Sequence, residues 1–345
     1  MNQKMRDDFE YIYKCDIQWD KMKDTCVLIT GATGFLGSFI IKFMNHLNET
    51  RDFNITILAM VRDLEKAECI LNGCTVQYIA KDICAPLSLP EKIDYIFHCA
   101  SETRSIEMLE HPVEVIRGIV MGTMNILQLA LEKKVKSIVY LSSMEVYGRT
   151  NQELEMVKED DLGEINLFET RSCYPLGKRM AENLCYDFFQ EYEVPVKIAR
   201  LAQTFGTGVS KDETRLFGQI AKSVINHENI ILHTDGSSYG NYCYVADAIA
   251  GLFLLLLKGE NGEAYNISNE KCGMTILEMA SLVKEQVADG TIDLIFDIPE
   301  RNVHGYAPKS IMKMSAEKIS SIGWKPAIEM KEMFCRMIAY LQDTE

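Results

Sequence analysis

Long hydrophobic runs are missing from this chain of 345 residues. The longest uninterrupted one, residues 249–257, falls well short of the roughly 20 residues a spanning helix needs, and it reads as a buried helix. Metal-like spacing is missing too. Eleven cysteines are scattered along the chain, and Cys69 and Cys74, for example, have no histidine partners nearby, so no metal site is expected. Positive charge is in deficit: 36 Lys and Arg stand against 50 Asp and Glu, a net charge of −14, which excludes nonspecific nucleic-acid binding. The polar N-terminus carries no secretory leader pattern. The cysteines are therefore expected to be free thiols in a reducing, cytoplasmic setting. What remains, 47% hydrophobic and 25% charged residues, is ordinary globular composition with enough length for a large core shared by two lobes.

The most informative stretch is Cys26-Val-Leu-Ile-Thr-Gly-Ala-Thr-Gly-Phe-Leu-Gly-Ser38. A run of strand formers breaks into Gly31, Gly34 and Gly37 and continues as an apolar helix. That order is the dinucleotide-binding turn. The first glycine makes the bend, the second admits the pyrophosphate against backbone, and the third lets helix pack on strand, with the phosphates at the helix N-terminus. Thr33, Phe35 and Leu36 complete the turn as cofactor-contacting residues.

From residue 25 to about 143, apolar strands alternate with helices. Strands are expected at 26–30, 55–61, 75–79, 95–99 and 137–142, and helices at 35–48, 64–71 and 112–133. This predicts an α/β fold, a doubly wound parallel sheet of Rossmann type covered on both faces. Ligands in such sheets sit at the carboxyl ends of strands. The second strand ends at Arg62-Asp63; an acid there would bind a ribose hydroxyl and an arginine a 2′-phosphate, which leaves NAD and NADP both open. The third runs into Asp82 and Ile83, where Asp82 could accept from an adenine amino group. The fourth runs into Ala100 and Ser101, small enough for a cofactor to lie against backbone, while His98 reads as a packed strand residue.

The fifth strand ends at Ser143 and Glu145, and Tyr174-Pro-Leu-Gly-Lys178 follows at the start of a helical pattern. Tyr174 and Lys178 then lie one turn apart on one face. A lysine ammonium beside a tyrosine favours the phenolate, so Tyr174 becomes a candidate base, with Ser143 hydrogen-bonding the same substrate oxygen.

Together these residues resemble the extended short-chain dehydrogenase/reductases, specifically the nucleotide-sugar epimerases, dehydratases and decarboxylases. The matching pieces are Thr30-Gly-Ala-Thr-Gly-Phe-Leu-Gly37, Ser142-Ser-Met-Glu-Val-Tyr-Gly148, Cys173-Tyr-Pro-Leu-Gly-Lys178, Ala199-Arg-Leu-Ala-Gln-Thr-Phe-Gly206, Tyr244-Val-Ala-Asp247 and Ile322-Gly-Trp-Lys-Pro326, in family order. The segment Arg171-Ser-Cys-Tyr-Pro-Leu-Gly-Lys-Arg-Met-Ala-Glu182 is most similar to UDP-glucuronate decarboxylases.

The resemblance implies a bound nicotinamide cofactor, NAD with NADP possible, that takes hydride from C4 of a nucleotide-diphosphate sugar. Tyr174 would remove the C4 hydroxyl proton, Lys178 would support it and hold the ribose, and Glu145 would be a C5 base. Elimination, decarboxylation and epimerisation all branch from the resulting 4-keto sugar. The resemblance also implies a homodimer paired through helices 112–133 and 173–193. Its implied division is an N-terminal extension (1–24), a dinucleotide-binding domain (25–204 plus 241–267) and a substrate lobe (205–240 plus 268–345). The extension is expected to pack its aromatics on the domain surface.

Several positions depart from the family pattern. Dehydratases carry an acid before the glutamate and decarboxylases a small polar residue, but here that position is Met144, which cannot donate a proton. Gly240 replaces the usual arginine seven residues before Asp247, Gln203 and Ile119 stand where asparagine is usual, and Thr207 replaces proline. Gln203, Arg215 and Arg301 are the candidate substrate contacts, the two arginines as sources of the missing charge. The departures keep two other expectations open: an NADP-dependent reductase or dehydrogenase of another small carbonyl or hydroxyl substrate, and a cofactor-binding protein without catalysis.

Overall fold

A computed structural model of the chain describes residues 2–151, 153–298 and 311–343. At its centre β1 (Cys26–Thr30) pairs in parallel with β2 (Thr56–Val61) on one side and β4 (Tyr95–His98) on the other. With β3 (Gln77–Ala80), β5 (Ser137–Ser143), β6 (Val196–Leu201) and strand Ala264–Ile267 it makes a seven-stranded sheet. The spatial order is Ala264–Ile267, β6, β5, β4, β1, β2, β3, with every pairing parallel. The order reverses at β1, which marks the carboxyl ends of β1 and β4 as the place where doubly wound sheets bind their ligands. The Rossmann-type α/β reading of the sequence holds.

Each face of the sheet has its own core. One is covered by α1 (Gln3–Lys14), α2 (Phe35–Arg51) and a helix at Val245–Lys258, and the other by α5 (Pro112–Lys133) and α6 (Cys173–Tyr192). Between them lie α3 (Leu64–Ile70), on the first face, and α4 (Ser105–Glu110), beside α5. By length and composition α5 is apolar enough to cross a membrane, yet it lies along α6 with Gly177 set close against Ile116 and Ile119.

Element boundaries move where side chains compete for backbone. The third strand begins at Gln77 rather than 75, because Asn45 accepts from the Thr75 amide at 2.7 Å. The second begins at Thr56, because Asn48 takes both the amide and the carbonyl of Ile55. Helix α2 runs on to Arg51 and stops at Asp52, whose left-handed conformation (φ 53°) ends it.

The N-terminal extension packs its aromatics on the domain as expected, but from a helix and more deeply than a surface contact: residues 3–14 form α1, which buries Met5, Asp8, Phe9 and Ile12 along one face. Phe9 meets Phe39 edge-on with centroids 5.2 Å apart and touches Phe43. Trp19, from the short turn after α1, packs on Phe253. Full burial of one such ring is worth about 2–3 kcal/mol, so the extension is part of the main core.

The remaining chain adds three small strand pairs. Gln203–Phe205 pairs with Tyr242–Tyr244, Tyr239–Gly240 with Met274–Thr275, and Ile230–Leu232 with Leu294–Phe296. Helix α7 (Leu216–Asn226) and helices Ile276–Gln286 and Met330–Asp343 pack around them.

Candidate active site

The glycine turn has the shape the sequence calls for. Gly31 adopts φ 63°, and a Cβ there would lie 2.8 Å from Ala100. A Cβ on Gly37 would lie 2.4 Å from the Gly31 carbonyl, so only glycine lets α2 sit on the turn. Gly34, exposed at the N-cap of α2, offers no side-chain cap, so the first amides of a 17-residue helix stay available to an anion. Thr33, Phe35 and Leu36 are half-buried around that opening, as are Ala100 and Ser101 at the end of β4. This cradle fits the diphosphate of a dinucleotide.

Around it, the structure sorts the remaining candidates. Arg62 stands exposed at the tip of β2, while Asp63 caps α3 by accepting from Lys66 N at 3.0 Å. Asp82 is exposed and accepts from Cys84 N at 2.9 Å, and Ile83 packs on Gly122 of α5. His98 is buried, bonded through Nδ1 to Thr30 Oγ1 and through Nε2 to Thr123. Burial, with the Lys178 charge adding to it, pushes its pKa down to about 3 and keeps it neutral, which suits a packing role.

Ser143, Glu145, Tyr174 and Lys178 come together at the end of β5. Ser143 closes the strand, and its Oγ accepts from Glu145 N at 3.2 Å, starting a turn over Met144–Tyr147. Tyr174 and Lys178 occupy the first two turns of α6, and both are buried. Lys178 donates to the Leu141 carbonyl at 2.7 Å and lies 4.8 Å from the Tyr140 ring centre and 5.9 Å from that of Tyr174. Burial lowers its pKa to about 8.

The electrostatics of the phenol differ from the expected lysine effect. Burial, and after it the Glu145 charge, push Tyr174 well above the ordinary tyrosine range. Against them act a hydrogen bond with Ser143 and then the charges of Arg171 and Arg215. Arg171 is the candidate site residue that sequence reasoning missed. It sits on the turn before α6 and grips Glu145 with NH1 at 2.7 Å and NH2 at 2.9 Å. Its signal was its place three residues before Tyr174.

Beneath the site lies a second charged layer. Glu182 accepts from Ser142 Oγ at 2.5 Å and from Arg200 at 2.7 Å, and Arg200 also donates to the Tyr147 hydroxyl at 3.1 Å. A buried pair satisfied this fully fixes the strand end that carries Ser143.

The substrate-side candidates separate. Arg215, at the N-cap of α7, is close enough for its charge to act on Tyr174, although Glu213 also holds it at 2.6 Å. Gln203 is exposed at the start of its short strand, and Arg301 lies outside the described residues. Met144 turns toward an apolar cluster containing Ala202, Met312 and Met314. At Gly240 a Cβ would lie 2.3 Å from the Tyr242 hydroxyl, so the Tyr242 ring fills the space an arginine would enter.

The glycine turn on β1 and the serine, tyrosine and lysine gathered at the end of β5 form an arrangement that a dinucleotide-dependent enzyme on a Rossmann-type fold can use. Residues 27–268 match the model of the NAD dependent epimerase/dehydratase family, and the chain belongs to that family, with NAD as its cofactor. The chain is 28% identical over 309 residues to UDP-glucuronic acid decarboxylase 6 of Arabidopsis thaliana, covering 89% of this chain and 85% of the plant protein. The fold is shared with the epimerase Mth375 of Methanothermobacter thermautotrophicus, with a TM-score of 0.78, 20% identity and coverage of 99% and 96% of the two chains. It is also shared with UDP-glucuronic acid 4-epimerase from Bacillus cereus, solved with UDP-glucuronic acid and NAD, with a TM-score of 0.75, 20% identity and coverage of 93% and 100%.

Proposed function

We propose that this protein uses NAD to oxidise C4 of a nucleotide-diphosphate sugar, and that the 4-keto sugar is then decarboxylated or epimerised. The observation that carries the reading is the convergence of Ser143, Tyr174 and Lys178 at the end of β5, beside the glycine turn. NAD supplies the acceptor that takes a hydride from C4 and later returns it. Gly31, Thr33, Gly34, Phe35, Leu36 and Gly37 hold its diphosphate, with Asp82, Ile83, Ala100 and Ser101 along its length. Tyr174 takes the C4 hydroxyl proton, Ser143 hydrogen-bonds the same oxygen, and Lys178 supplies the nearby positive charge.

The 4-keto group acidifies C5 and makes a C5 carboxylate a β-keto acid. Glu145, gripped at two points by Arg171, serves as the C5 base or as a hydrogen-bond acceptor. With Met144 beside it in place of an acid, expulsion of a C6 hydroxyl has no proton donor at that position, which speaks against 4,6-dehydration. UDP-glucuronic acid is the first substrate to try, because the plant relative named above is a UDP-glucuronic acid decarboxylase and the Bacillus cereus epimerase was solved with this sugar. A reductase of another substrate and a non-catalytic cofactor binder are not favoured beside this family membership.

We extend the proposal to a homodimer. Ile116, Met121 and Met124 of α5 and Met180 and Tyr186 of α6 leave apolar surface exposed on the paired helices, which suits a second copy. The division into a dinucleotide-binding domain and a substrate lobe at 205–240 plus 268–345 belongs to the same reading. So does a cytoplasmic location, which the eleven free thiols suit.

The test is to mix the NAD-loaded enzyme with UDP-glucuronic acid, UDP-glucose and UDP-N-acetylglucosamine, following absorbance at 340 nm and products by mass spectrometry. Reduction with one of these sugars, abolished in Tyr174→Phe, supports the reading. Undiminished turnover in Tyr174→Phe, or neither cofactor reduction nor product formation with any of these three sugars, overturns it.

A further inference from the structure

Arg179 follows Lys178 on α6 and commits its guanidinium to backbone rather than to a carboxylate. Its Nε donates to the Val146 carbonyl at 2.7 Å, and its Nη2 donates to the carbonyls of Tyr147 at 3.2 Å and Gly163 at 2.6 Å. Val146 and Tyr147 are completely buried and Arg179 is half-buried, so water competes little for these bonds.

Those carbonyls close the turn that carries Glu145. The turn spans only Met144–Tyr147; at its start the Ser143 hydroxyl accepts from Glu145 N, and at its end the chain leaves through Gly148 with φ 60°. The last carbonyls of so short a helical turn have no partner further along it, and an arginine, with five donors in a rigid fork, can meet several at once. The Tyr147 carbonyl also accepts from Gly163 N at 2.9 Å, and Arg149 and Glu164 continue that pairing as an antiparallel bridge. Arg179 thus joins three pieces: the helix with Tyr174 and Lys178, the turn with Glu145, and the segment at Gly163. From the turn before the same helix, Arg171 holds the Glu145 carboxylate. Glu145 is therefore gripped from α6 by its backbone on one side and from the lead-in to α6 by its side chain on the other.

We propose that Arg179 is a positioning residue for Glu145: by holding the two carbonyls that follow Glu145, it sets where that carboxylate stands relative to Tyr174 on the same helix. This rests on the reading above only in taking Glu145 to act at C5 once C4 has been oxidised. Tyr174 and Lys178 have anchors of their own, burial within α6 and the Lys178 bond to the Leu141 carbonyl. The first hydride transfer therefore depends on Arg179 much less than the step at C5 does.

Two measurements test it, on Arg179→Gln, Arg179→Lys and Glu145→Gln in the full-length protein. The first is amide hydrogen exchange, which needs no substrate. The amides of Gly148 and Gly163, which bond the carbonyls of Glu145 and Tyr147, should exchange about 10-fold faster in Arg179→Gln, with Arg179→Lys between it and the parent and the amides of β5 and α6 unchanged. The second separates the two stages of turnover with UDP-glucuronic acid and the NAD-loaded enzyme. In Arg179→Gln the first cofactor reduction should stay within about 3-fold of the parent, while product formation falls about 10-fold and reduced cofactor accumulates. Adding Arg179→Gln to Glu145→Gln should lower product formation little further, since both changes act on the same group. A merely structural role would slow both stages alike. Exchange that rises throughout α6 and β5, or not at all, overturns the proposal, as does an equal loss in the two stages or an additive loss in the double variant. If UDP-glucuronic acid does not react with the parent, or Glu145→Gln forms product at the parent rate, that counts against the reading of the reaction, and the exchange measurement decides whether Arg179 holds the turn.

Discussion

Arg171 and Glu145 form a two-point ion pair, with distances of 2.7 and 2.9 Å, directly beside the phenol of Tyr174. The two charges act on Tyr174 in opposite directions, Glu145 raising its pKa and Arg171 lowering it. Burial is the larger influence on that pKa, and the pair adjusts it further.

Its consequence is a pH profile with a definite sign. If Tyr174 is the base, as proposed, its pKa above the ordinary tyrosine range means that cofactor reduction should climb as pH rises. The charged and titratable groups acting on it are Glu145 from the turn after β5, Arg171 from the turn before α6 and Arg215 from the start of α7, with Lys178 on its own helix and Tyr140 on β5 close by. Arg171→Gln leaves Glu145 uncompensated, so the rise should move to higher pH and the rate at pH 8 should fall about 10-fold or more. Glu145→Gln should move it to lower pH, and the double variant should fall between. Rapid-mixing measurement of the first cofactor reduction at a series of pH values checks this, because that step precedes any use of Glu145 as a C5 base. Identical profiles for all four proteins would rule out the electrostatic role.

Lys178 gives a prediction about stability. Its pKa drops from 10.5 to about 8 on burial, so the unfolded chain binds the extra proton between those values. Folding stability contributed by this site must then increase with pH from about 8 to 10.5, by roughly 1.4 kcal/mol per pH unit. Lys178→Met removes that slope. The variant's stability relative to the parent should be most favourable below pH 8 and decline toward pH 10, while its turnover is lost. Denaturant melts at pH 7, 8, 9 and 10 read the slope directly, and parallel pH dependences in the two proteins would contradict it.

The α5–α6 surface yields a simpler expectation. Met180 is exposed in the middle of the apolar face, next to the groove lined by Ile116, Val120 and Met121. A charge there has little to disturb within one chain, but it would be desolvated in a helix-paired dimer. Light scattering should show a dimer for the parent and a monomer for Met180→Glu, with the melting temperature of each chain nearly unchanged. A monomeric parent would remove the homodimer from the proposal.

How far the sequence could be read follows from the range of each interaction. Gly31, Gly34 and Gly37 and the pair Tyr174 and Lys178 were visible because short spacings fix their geometry: a turn and a single helical face. The parallel, doubly wound sheet was visible in the alternation of apolar strands with helices, although the order of its strands was not. Arg171 was not visible, since an arginine becomes significant only when its partner, 26 positions earlier in the chain, folds beside it. Helix α1 was not predicted, for the same reason. Its buried Asp8 weakens the apolar periodicity, and the residues that satisfy it lie at Thr207, Tyr244 and Arg336. Short-range patterns located the chemistry, whereas its tuning depends on contacts between distant segments.

Gly240 shows how a missing residue can be a packing requirement. The Tyr242 ring is buried over it, and a Cβ would meet both its hydroxyl at 2.3 Å and its ring edge at 2.6 Å. Gly240→Ala should therefore destabilise the protein by about 1–3 kcal/mol, because the ring must move to make room. Tyr242→Ala alone should cost about 3–5 kcal/mol by leaving a cavity. The two changes should not add, since truncating the ring removes the clash, and Gly240→Ala in the Tyr242→Ala background should be nearly free. Chemical denaturation of the four proteins measures the coupling. If Gly240→Ala is neutral in the parent, the ring does not exclude a side chain, and the absence of arginine at this position needs a cause other than packing.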